Sequence, residues 1–446
     1  MGHSESDLDR LTGETVELLQ ALIRNECVND GTVESGFEDR SASLLENELE
    51  GLGLDLERYE TAPGRSSLVT RYEGTDPDAP ALCLMAHTDV VPVSADGWER
   101  DPFGGELIDG EIWGRGAVDM LNLTSTMAVA FRHIVKAGRR YPGDIVYFAV
   151  ADEEAGSVHG AQPLLDDQWD HLQADYVITE FGGIPINESL LLTTAEKGAY
   201  WWRLHVGGTP GHGSMPYGTD NALVKAAEVV RRIAAYNPGP RLDRMWEQRV
   251  RAMGLGEEIS ALLLDPDLIH QAFDLLPPEI ARNAHSCSHT TFSPNVIHGG
   301  VKTNVIPDRV TIELDIRTLP GESLADVHHH VRTALGELYD EVTIESDGDW
   351  DASESPTDNQ LWHALDRAMG FQYPNKELVP SLVTGGTDAR FYRDRGAIAY
   401  GAGLLSPSLN AADFLTRFHG HNERIDVESL RMTTRLWLDL FDVLWA

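Results

Sequence analysis

Short segments of this sequence place imidazole and carboxylate side chains where they could bind metal or move protons. His87 and Asp89 stand two residues apart in HTD, and a carboxylate at that spacing can orient and polarise an imidazole ligand. Glu153 and Glu154 are adjacent in DEEAGS; because neighbours at a strand end point in different directions, one can bind metal while the other acts as a general base. Taken alone, the acidic segment is more typical of a solvated turn.

Three further residues complete a set of metal donors. Asp119 ends the glycine-flanked turn GRGAVDM, Glu180 follows the apolar run YVIT, and His419 lies in FHGHNE near the C-terminus. If Asp119 is shared, each of two metal ions can receive one histidine, one terminal glutamate and the bridging aspartate. This nitrogen and oxygen set suits zinc, and cobalt or manganese could also occupy it. His421, in the same segment, is an alternative ligand.

The elements that must position these residues indicate an α/β fold. Residues 81–87 and 144–151 are predicted to be buried strands, and residues 9–25 and 121–137 are predicted to be helices. The candidate ligands follow the strands directly, where open α/β sheets bind their ligands. The GRG of 114–116 lacks the third glycine of a dinucleotide-binding loop, so a Rossmann site is not expected.

Near residue 196 the pattern changes to that of a smaller α+β domain. YWWRLHVGG alternates like a half-exposed strand, and the following segments predict a β-α-β-β-α-β order. The fold class is therefore α/β, with a mixed sheet and an inserted α+β domain. The predicted divisions are 1–195 and 349–446 for the larger domain and 196–348 for the insert, with a helical elaboration at about 237–286.

Composition limits the classes of function. A chain of 446 residues with 42% hydrophobic content can build two cores, and a formal net charge of -37 disfavours nucleic acid and anionic membranes as partners. The N-terminus has no signal-peptide pattern, and no run reaches the roughly 18 apolar residues of a membrane span, so a cytoplasmic protein is expected. Cys27, Cys83 and Cys287 are widely spaced and indicate neither a disulfide framework nor a thiolate zinc site.

Eight motifs in order carry a family resemblance. The series AHTDVVP, GRGAVDM, DEEAGS, TEFGG, GTPGHGSMP, TNVIP, GGTDAR and HGHNE resembles the di-zinc metallohydrolases that include aminoacylases, succinyl-diaminopimelate desuccinylases, glutamate carboxypeptidases and vacuolar carboxypeptidases. It extends from about residue 60 to residue 426. The resemblance implies a zinc-exopeptidase catalytic domain with an inserted lid domain. It also implies an amide-bond hydrolase acting on an N-acyl amino acid or short peptide with a free carboxylate.

The resemblance assigns the matched residues to two zinc ions. His87, Asp119 and Glu180 would hold one ion, and Asp119, Glu154 and His419 would hold the other. Glu153 would be the general base, and the Asp119–Met120 peptide bond would be cis.

The resemblance also implies substrate contacts. His212 in GTPGHGSMP resembles a lid-domain histidine that stabilises the oxyanion, and Arg317 in ELDIRTLP resembles an arginine used near substrate carboxylates. Further predicted contacts are Asn304, Gly385, Gly386 and Thr387. Family members that dimerise through the lid domain deliver this histidine across the interface, so a homodimer is expected, with His212 acting in its own subunit or in the partner.

One departure from the family pattern leaves the substrate open. The family commonly has Lys-Gly after the Asp-Met pair, whereas this chain has Leu121 and Asn122, which would make the entrance to the site less positive. TGGTDAR is closer to the aminoacylase and vacuolar-carboxypeptidase branch. The alternatives are a hydrolase of non-peptide C–N bonds, such as those of ureido compounds, and a non-catalytic metal-binding scaffold.

Overall fold

A computed structural model describes residues 4–446, without the side chains of residues 411 and 412. The strands are, in chain order, β1 (Leu56–Ala62), β2 (Arg65–Tyr72), β3 (Leu82–His87), β4 (Glu106–Ile108), β5 (Glu111–Trp113), β6 (Ile145–Val150), β7 (Tyr176–Thr179), β8 (Gly182–Ile186), β9 (Ser189–Glu196), β10 (Gly198–Gly207), β11 (Gly211–His212), β12 (Thr291–Gly299), β13 (Val305–Ile306), β14 (Arg309–Thr318), β15 (Val342–Trp350), β16 (Ser353–Glu354), β17 (Glu377–Val383), β18 (Ile398–Gly401) and β19 (Arg424–Asp426).

The α-helices are, in chain order, α1 (Glu5–Arg24), α2 (Asp39–Leu49), α3 (Leu121–Lys136), α4 (Ala161–Asp167), α5 (Trp169–Leu172), α6 (Ala222–Ala235), α7 (Arg244–Met253), α8 (Glu257–Leu263), α9 (Ile269–Leu275), α10 (Pro278–Ser288), α11 (Leu324–Leu335), α12 (Gln360–Gly370), α13 (Ala389–Arg393), α14 (Ala411–Leu415) and α15 (Val427–Leu444). Short 3-10 turns lie at Glu153–Ala155 and Gly336–Glu341.

The chain folds into two compact units. The first unit contains the residues up to Thr194, Ser355–Ser381 and Thr387–Ala446, and the second contains Ala195–Glu354 and Leu382–Gly386. The first unit is built on a mixed sheet with the strand order β1-β2-β6-β3-β7-β18-β9. Within it, β3 runs parallel to both β6 and β7, whereas β1 pairs antiparallel with β2. The prediction of an α/β fold with a mixed sheet is therefore confirmed.

The central strands of this sheet are buried because their sequences are continuously apolar. Every residue of β3 and of β6 is buried, as expected for strands with helices on both faces. Helices α1, α3 and α15 pack against one another in the same unit. Their apolar residues form a single core with the sheet.

The second unit contains a four-stranded antiparallel sheet in the order β12-β14-β10-β15. Apolar residues of α6 and α11 form a core with the inward-facing side chains of β10 and β14. In chain order these elements are β10, α6, β12, β14, α11 and β15, which is the predicted β-α-β-β-α-β order. Helices α7 to α10 occupy most of the segment 237–286, and their apolar residues form a further core together with Ala195, Leu319 and Leu382.

The boundaries of the two units differ slightly from the sequence-based ones. The sequence placed the second boundary at 348/349, whereas the second unit extends to Glu354. The reason is that β15 continues to Trp350 and that Ser353 and Glu354 pair with Glu196 and Ala195. The segment 382–386 also belongs to the second unit, which the sequence did not indicate.

The three cysteines are free and buried. No helix among residues 4–446 combines the length and the hydropathy that a membrane span requires.

Candidate metal centre

Three neighbouring parallel strands deliver candidate ligands to one edge of the first unit's sheet. His87 is the last residue of β3, Glu153 and Glu154 follow β6, and Glu180 directly follows β7. Because β6, β3 and β7 are adjacent and parallel, their carboxyl ends meet at the same edge. Apolar strands that end in polar residues therefore bring these four side chains together.

Asp119 lies between two pairs of candidate ligands. Its Oδ1 lies 3.3 Å from Nε2 of His87, which is itself 3.5 Å from Oε2 of Glu180. Its Oδ2 lies 3.2 Å from Nε2 of His419, which is also 3.2 Å from Oε2 of Glu154. The two oxygens of one carboxylate thus face different histidines, each accompanied by its own glutamate.

The position of Asp119 is set by the turn before α3. The Asp119–Met120 peptide bond is cis, as the resemblance implied. Asp119 is 5% exposed, and the helix begins two residues later at Leu121. Leu121 and Asn122 are themselves buried. Both therefore lie in the packed start of α3, and their effect on substrate preference stays a prediction.

The two histidines of HGHNE have different surroundings. His419 adopts a left-handed backbone, with φ of 55°, and its ring faces Asp119 and Glu154. The ring of His421 lies against Gly97, where an added Cβ would come within 2.9 Å of its Cε1. The geometry therefore favours His419 over His421 as a ligand.

The carboxylates of the centre are buried close together. Burial, and then the charge of Asp119, raise the pKa values of Glu154 and Glu180 above their usual range. Burial opposes ionisation of Asp119, but hydrogen bonds with His419 and His87 hold its pKa below the usual value. The ion pairs that Asp119, Glu154 and Glu180 make within residues 4–446 are with His87 and His419. Such an arrangement is relieved by a bound cation.

The donors fit a divalent metal. The ligand atoms of His87, Asp119 and Glu154, and likewise those of His87, Glu153 and Glu180, lie within 4.8 Å of one another. Oε2 of Glu180 is buried and makes no hydrogen bond with good geometry to any described residue. A buried, unsatisfied carboxylate oxygen beside two other donors is what a metal ligand requires.

Asp89 contacts His87 through two groups. Nδ1 of His87 lies 3.0 Å from the backbone oxygen of Asp89, and 3.5 Å from its Oδ1. The carboxylate also accepts the backbone N–H of Glu153 at 3.2 Å and that of Glu154 at 3.1 Å. Asp89 therefore contacts the imidazole through both its backbone carbonyl and its carboxylate, and the carboxylate also holds the turn that carries both glutamates.

A buried ion pair that sequence reasoning missed supports the other side of the centre. Nη1 of Arg115 donates to Oε2 of Glu423 at 2.7 Å, and Oε1 accepts the backbone N–H groups of Val118 and Asp119 at 2.8 and 3.2 Å. Burial, partly offset by Arg115, raises the pKa of Glu423 to about 7. Both residues lie inside quoted motifs, GRGAVDM and HGHNE, which was the available signal.

Asp388 is a second acidic residue that sequence reasoning missed. It is 1% exposed, and one of its oxygens accepts the hydroxyl of Ser157. Burial raises its pKa to about 6, and its charge in turn raises the pKa of Glu153. It stands in GGTDAR directly after Thr387, so the motif again contained the signal.

The predicted oxyanion donor lies in the second unit. His212 is exposed on β11, where it pairs with Val305, and Asn304 accepts the N–H of Gly213 at 2.8 Å through its backbone oxygen. Nδ1 of His212 accepts the N–H of Ser214 at 3.2 Å. In a neutral ring the proton therefore sits on Nε2, which is free to donate.

The remaining predicted contacts divide between the units. Arg317 on β14 pairs with Asp315 at 2.8 Å and lies over the ring of Trp201. Gly385 and Gly386 belong to the second unit, and Thr387 is buried in the first. How these residues and His212 approach the metal ligands stays a prediction.

Comparisons with known proteins give matches over most of the chain. The family model described as Peptidase family M20/M25/M40 matches residues 83–442. The chain is 27% identical over 402 residues to the N-fatty-acyl-amino acid synthase/hydrolase PM20D1 of Xenopus tropicalis, covering 86% of this chain and 76% of the relative. It is 27% identical over 389 residues to aminoacylase-1 of Sus scrofa, covering 86% and 85%.

Solved structures share the fold. The M20 family metallo-carboxypeptidase Sso-CP2 of Sulfolobus solfataricus superposes with a TM-score of 0.73 at 18% identity, covering 97% of this chain and 99% of that one. The di-peptidase Dug1p of Saccharomyces cerevisiae superposes with a TM-score of 0.70 at 17% identity, covering 98% and 97%.

Proposed function

The chain belongs to the peptidase family M20/M25/M40, whose members are metal-dependent hydrolases, and from this premise we propose that it cleaves an amide bond with two zinc ions. The proposed substrate is small and carries a free carboxylate, such as an N-acyl amino acid or a short peptide. The observation that carries the proposal is the geometry of Asp119, whose two oxygens face His87 and His419 separately.

The proposed ligands divide into two sets that share Asp119. His87 and Glu180 complete one set, and His419 and Glu154 complete the other. One histidine and two carboxylates for each ion suit zinc, and the same donors accept cobalt or manganese. A metal pair bound there would polarise a carbonyl oxygen and lower the pKa of water.

Glu153 is the proposed general base. Its carboxylate lies with His87 and Glu180, and burial together with the charge of Glu180 raises its pKa well above the usual range. A carboxylate with raised basicity can take a proton from the attacking water and return it to the leaving nitrogen. The backbone of Glu153 is held by Asp89, so the base is fixed at its main chain.

His212 and Arg317 are the proposed contacts on the second unit. Because Nδ1 of His212 accepts from Ser214, Nε2 is available to donate to the oxyanion of the tetrahedral intermediate. Arg317 is oriented by Asp315 and would bind the substrate carboxylate. The names of the relatives, aminoacylase-1 and PM20D1, support an N-acyl amino acid as the substrate.

A homodimer through the second unit is part of the proposal. β12 is an edge strand of the four-stranded sheet, and its residues Val296 and Ile297 are 38% and 49% exposed. An edge strand with exposed apolar side chains is a surface that a second copy can cover.

Metal analysis followed by hydrolysis assays tests the proposed function. We expect about two zinc ions per chain and turnover of N-acyl amino acids or dipeptides that is lost on chelation. Turnover of ureido compounds alone would identify the alternative C–N hydrolase. A protein that binds metal but hydrolyses none of these compounds would support the scaffold alternative and contradict the proposal.

A further inference from the structure

The side chain of Asn29 joins two buried carboxylates behind the candidate metal centre. Its Nδ2 donates to Oδ2 of Asp89 at 2.9 Å and to Oδ1 of Asp152 at 3.0 Å, while its Oδ1 accepts the N–H of Gly31 at 3.0 Å. Since only the NH2 group can donate twice, these contacts define the orientation of the amide. Asn29, Asp89 and Asp152 are 3%, 0% and 2% exposed.

Both carboxylates bound by Asn29 control the turn that carries Glu153 and Glu154. Asp89 accepts the backbone N–H groups of the two glutamates. Asp152 directly precedes Glu153 and has a left-handed backbone, with φ of 67°. Asn29 therefore contacts Asp89, which accepts the N–H groups of the turn, and Asp152, which directly precedes Glu153.

The two carboxylates have different charge partners. Asp152 pairs with the buried guanidinium of Arg65, whose Nε lies 2.9 Å from Glu38. Asp89 lies beside the imidazole of His87, with Oδ1 3.5 Å from Nδ1, and also accepts N–H groups from Asn29, Glu153 and Glu154. Because two buried anions repel each other, a group that donates to both at once keeps them at a defined separation.

The backbone around Asn29 makes hydrogen bonds of its own. Its backbone N–H donates to the carbonyl of Val90 at 2.9 Å, and the N–H of Val90 donates to Cys27 at 2.9 Å. These parallel backbone contacts place Asn29 beside Asp89 without using the side-chain amide. A substitution at this position can therefore change the amide contacts and leave the backbone in place.

We propose that Asn29 is a positioning residue that holds Glu153 and Glu154 in their diverging directions through Asp89 and Asp152. The proposal rests on the proposed function, in which Glu153 is the base and Glu154 a ligand. Residues that support metal ligands indirectly typically change activity or metal affinity by about 10- to 100-fold when they are replaced.

The test compares Asn29→Ala and Asn29→Asp with the control Ser35→Ala. Ser35 donates to Oδ1 of Asn29 at 3.5 Å, so the control disturbs the same loop and keeps both Nδ2 contacts. In Asn29→Ala we expect kcat to fall about 10- to 100-fold, with KM changed less than about twofold. Asn29→Asp should lose more, because it adds a third carboxylate. The visible absorption of the substrate-free cobalt(II) protein should shift in both Asn29 variants and remain wild-type in Ser35→Ala.

The cobalt spectrum separates this proposal from the proposed function. If the wild-type protein cleaved no amide, the proposed function would fail while the spectrum still decided the role of Asn29. A wild-type spectrum and kcat in Asn29→Ala would overturn the proposal, as would an equal loss in Ser35→Ala. If Asn29→Ala fails to fold, Asn29→Ser replaces it in the test. Because serine keeps one donor, the cobalt spectrum of Asn29→Ser should lie between those of the wild type and Asn29→Asp. A wild-type spectrum for Asn29→Ser would also overturn the proposal.

Discussion

Glu153 and Glu154 are consecutive residues whose carboxylates face different partners. Oε2 of Glu154 lies 3.2 Å from Nε2 of His419, whereas the carboxylate of Glu153 lies with His87 and Glu180. Both backbone N–H groups donate to Asp89, so the turn is held at its main chain while the side chains diverge. This divergence separates the proposed base from the proposed ligand.

Glu153→Gln should lower turnover by several orders of magnitude and keep the metal. Removing a general base costs about 10²- to 10⁴-fold in rate, and the variant should still bind about two zinc ions. Glu154→Gln should lose metal, because it weakens a ligand. Steady-state kinetics and elemental analysis of both purified variants test this, and equal zinc loss in the two would reverse the assignment.

Removal of the metal should destabilise the protein. Without cations the carboxylates of Asp119, Glu154 and Glu180 remain crowded in a buried site, and bound metal stabilises the folded state by mass action. We expect a chelator to lower the melting temperature and added zinc to restore it. Glu154→Gln should respond less to both treatments. An unchanged melting temperature after verified metal loss would contradict this view of the site.

The second unit should lose stability in acid through a histidine cluster. His285 and His289 stack with ring centroids 4.3 Å apart, and His270 lies 5.4 Å from His289. Burial, and then the charge of His285, lower the pKa of His289 to about 4. The pKa of His289 is therefore lower in the folded state than in the unfolded state. Its contribution to the free energy of unfolding is complete above about pH 6.5 and is lost as the pH falls toward 4.

The variant His289→Phe tests this pH dependence. It keeps an aromatic ring at the stacked position and removes the titrating group. Thermal melts between pH 7 and pH 4.5 should show a smaller fall for the variant than for the wild type. Parallel curves for the two proteins would show that this histidine does not contribute to acid sensitivity.

Salt should stabilise the protein at moderate concentration. A net charge of -37 produces self-repulsion, and the screening length falls from about 30 Å at 0.01 M to about 8 Å at 0.15 M salt. We expect the melting temperature to rise between these concentrations, equally in sodium and potassium chloride. A flat or falling curve would count against the repulsion argument, and a rise in sodium alone would indicate a specific ion site.

His212 should serve the active site of the partner subunit. Its loop pairs with Val305 in the second unit, through which we propose dimerisation. When inactive Glu153→Ala and His212→Ala proteins exchange subunits at random, half of the dimers are mixed, and each mixed dimer regains one complete site. Activity should therefore return to about a quarter of the wild-type value.

The exchange experiment needs its own control. Differently tagged subunits must be shown to form mixed dimers, for example by pull-down of one tag and detection of the other. If mixed dimers form and no activity is recovered, the proposal that His212 acts in the active site of the partner subunit would be excluded. His212 would then act within its own chain or not at all.

The sequence determined the donor types and most of the elements that carry them. β3 and β6 were predictable because their burial comes from unbroken apolar runs, and the helix at 121–137 because its pattern is local. Motif order along the chain was enough to name His87, Asp119, Glu154, Glu180 and His419, which the structure brings together.

Only the tertiary structure decided how these residues are held. The carboxylate of Asp89 turned out to hold the Glu153 turn, and Asn29 contacts Asp89 from 60 positions away. Arg115 and Glu423, which support Asp119, are 308 positions apart. Apolar periodicity depends on neighbours a few residues away, so it can be read along the chain. A buried hydrogen bond depends on which distant segments fold together, and no local pattern carries that information.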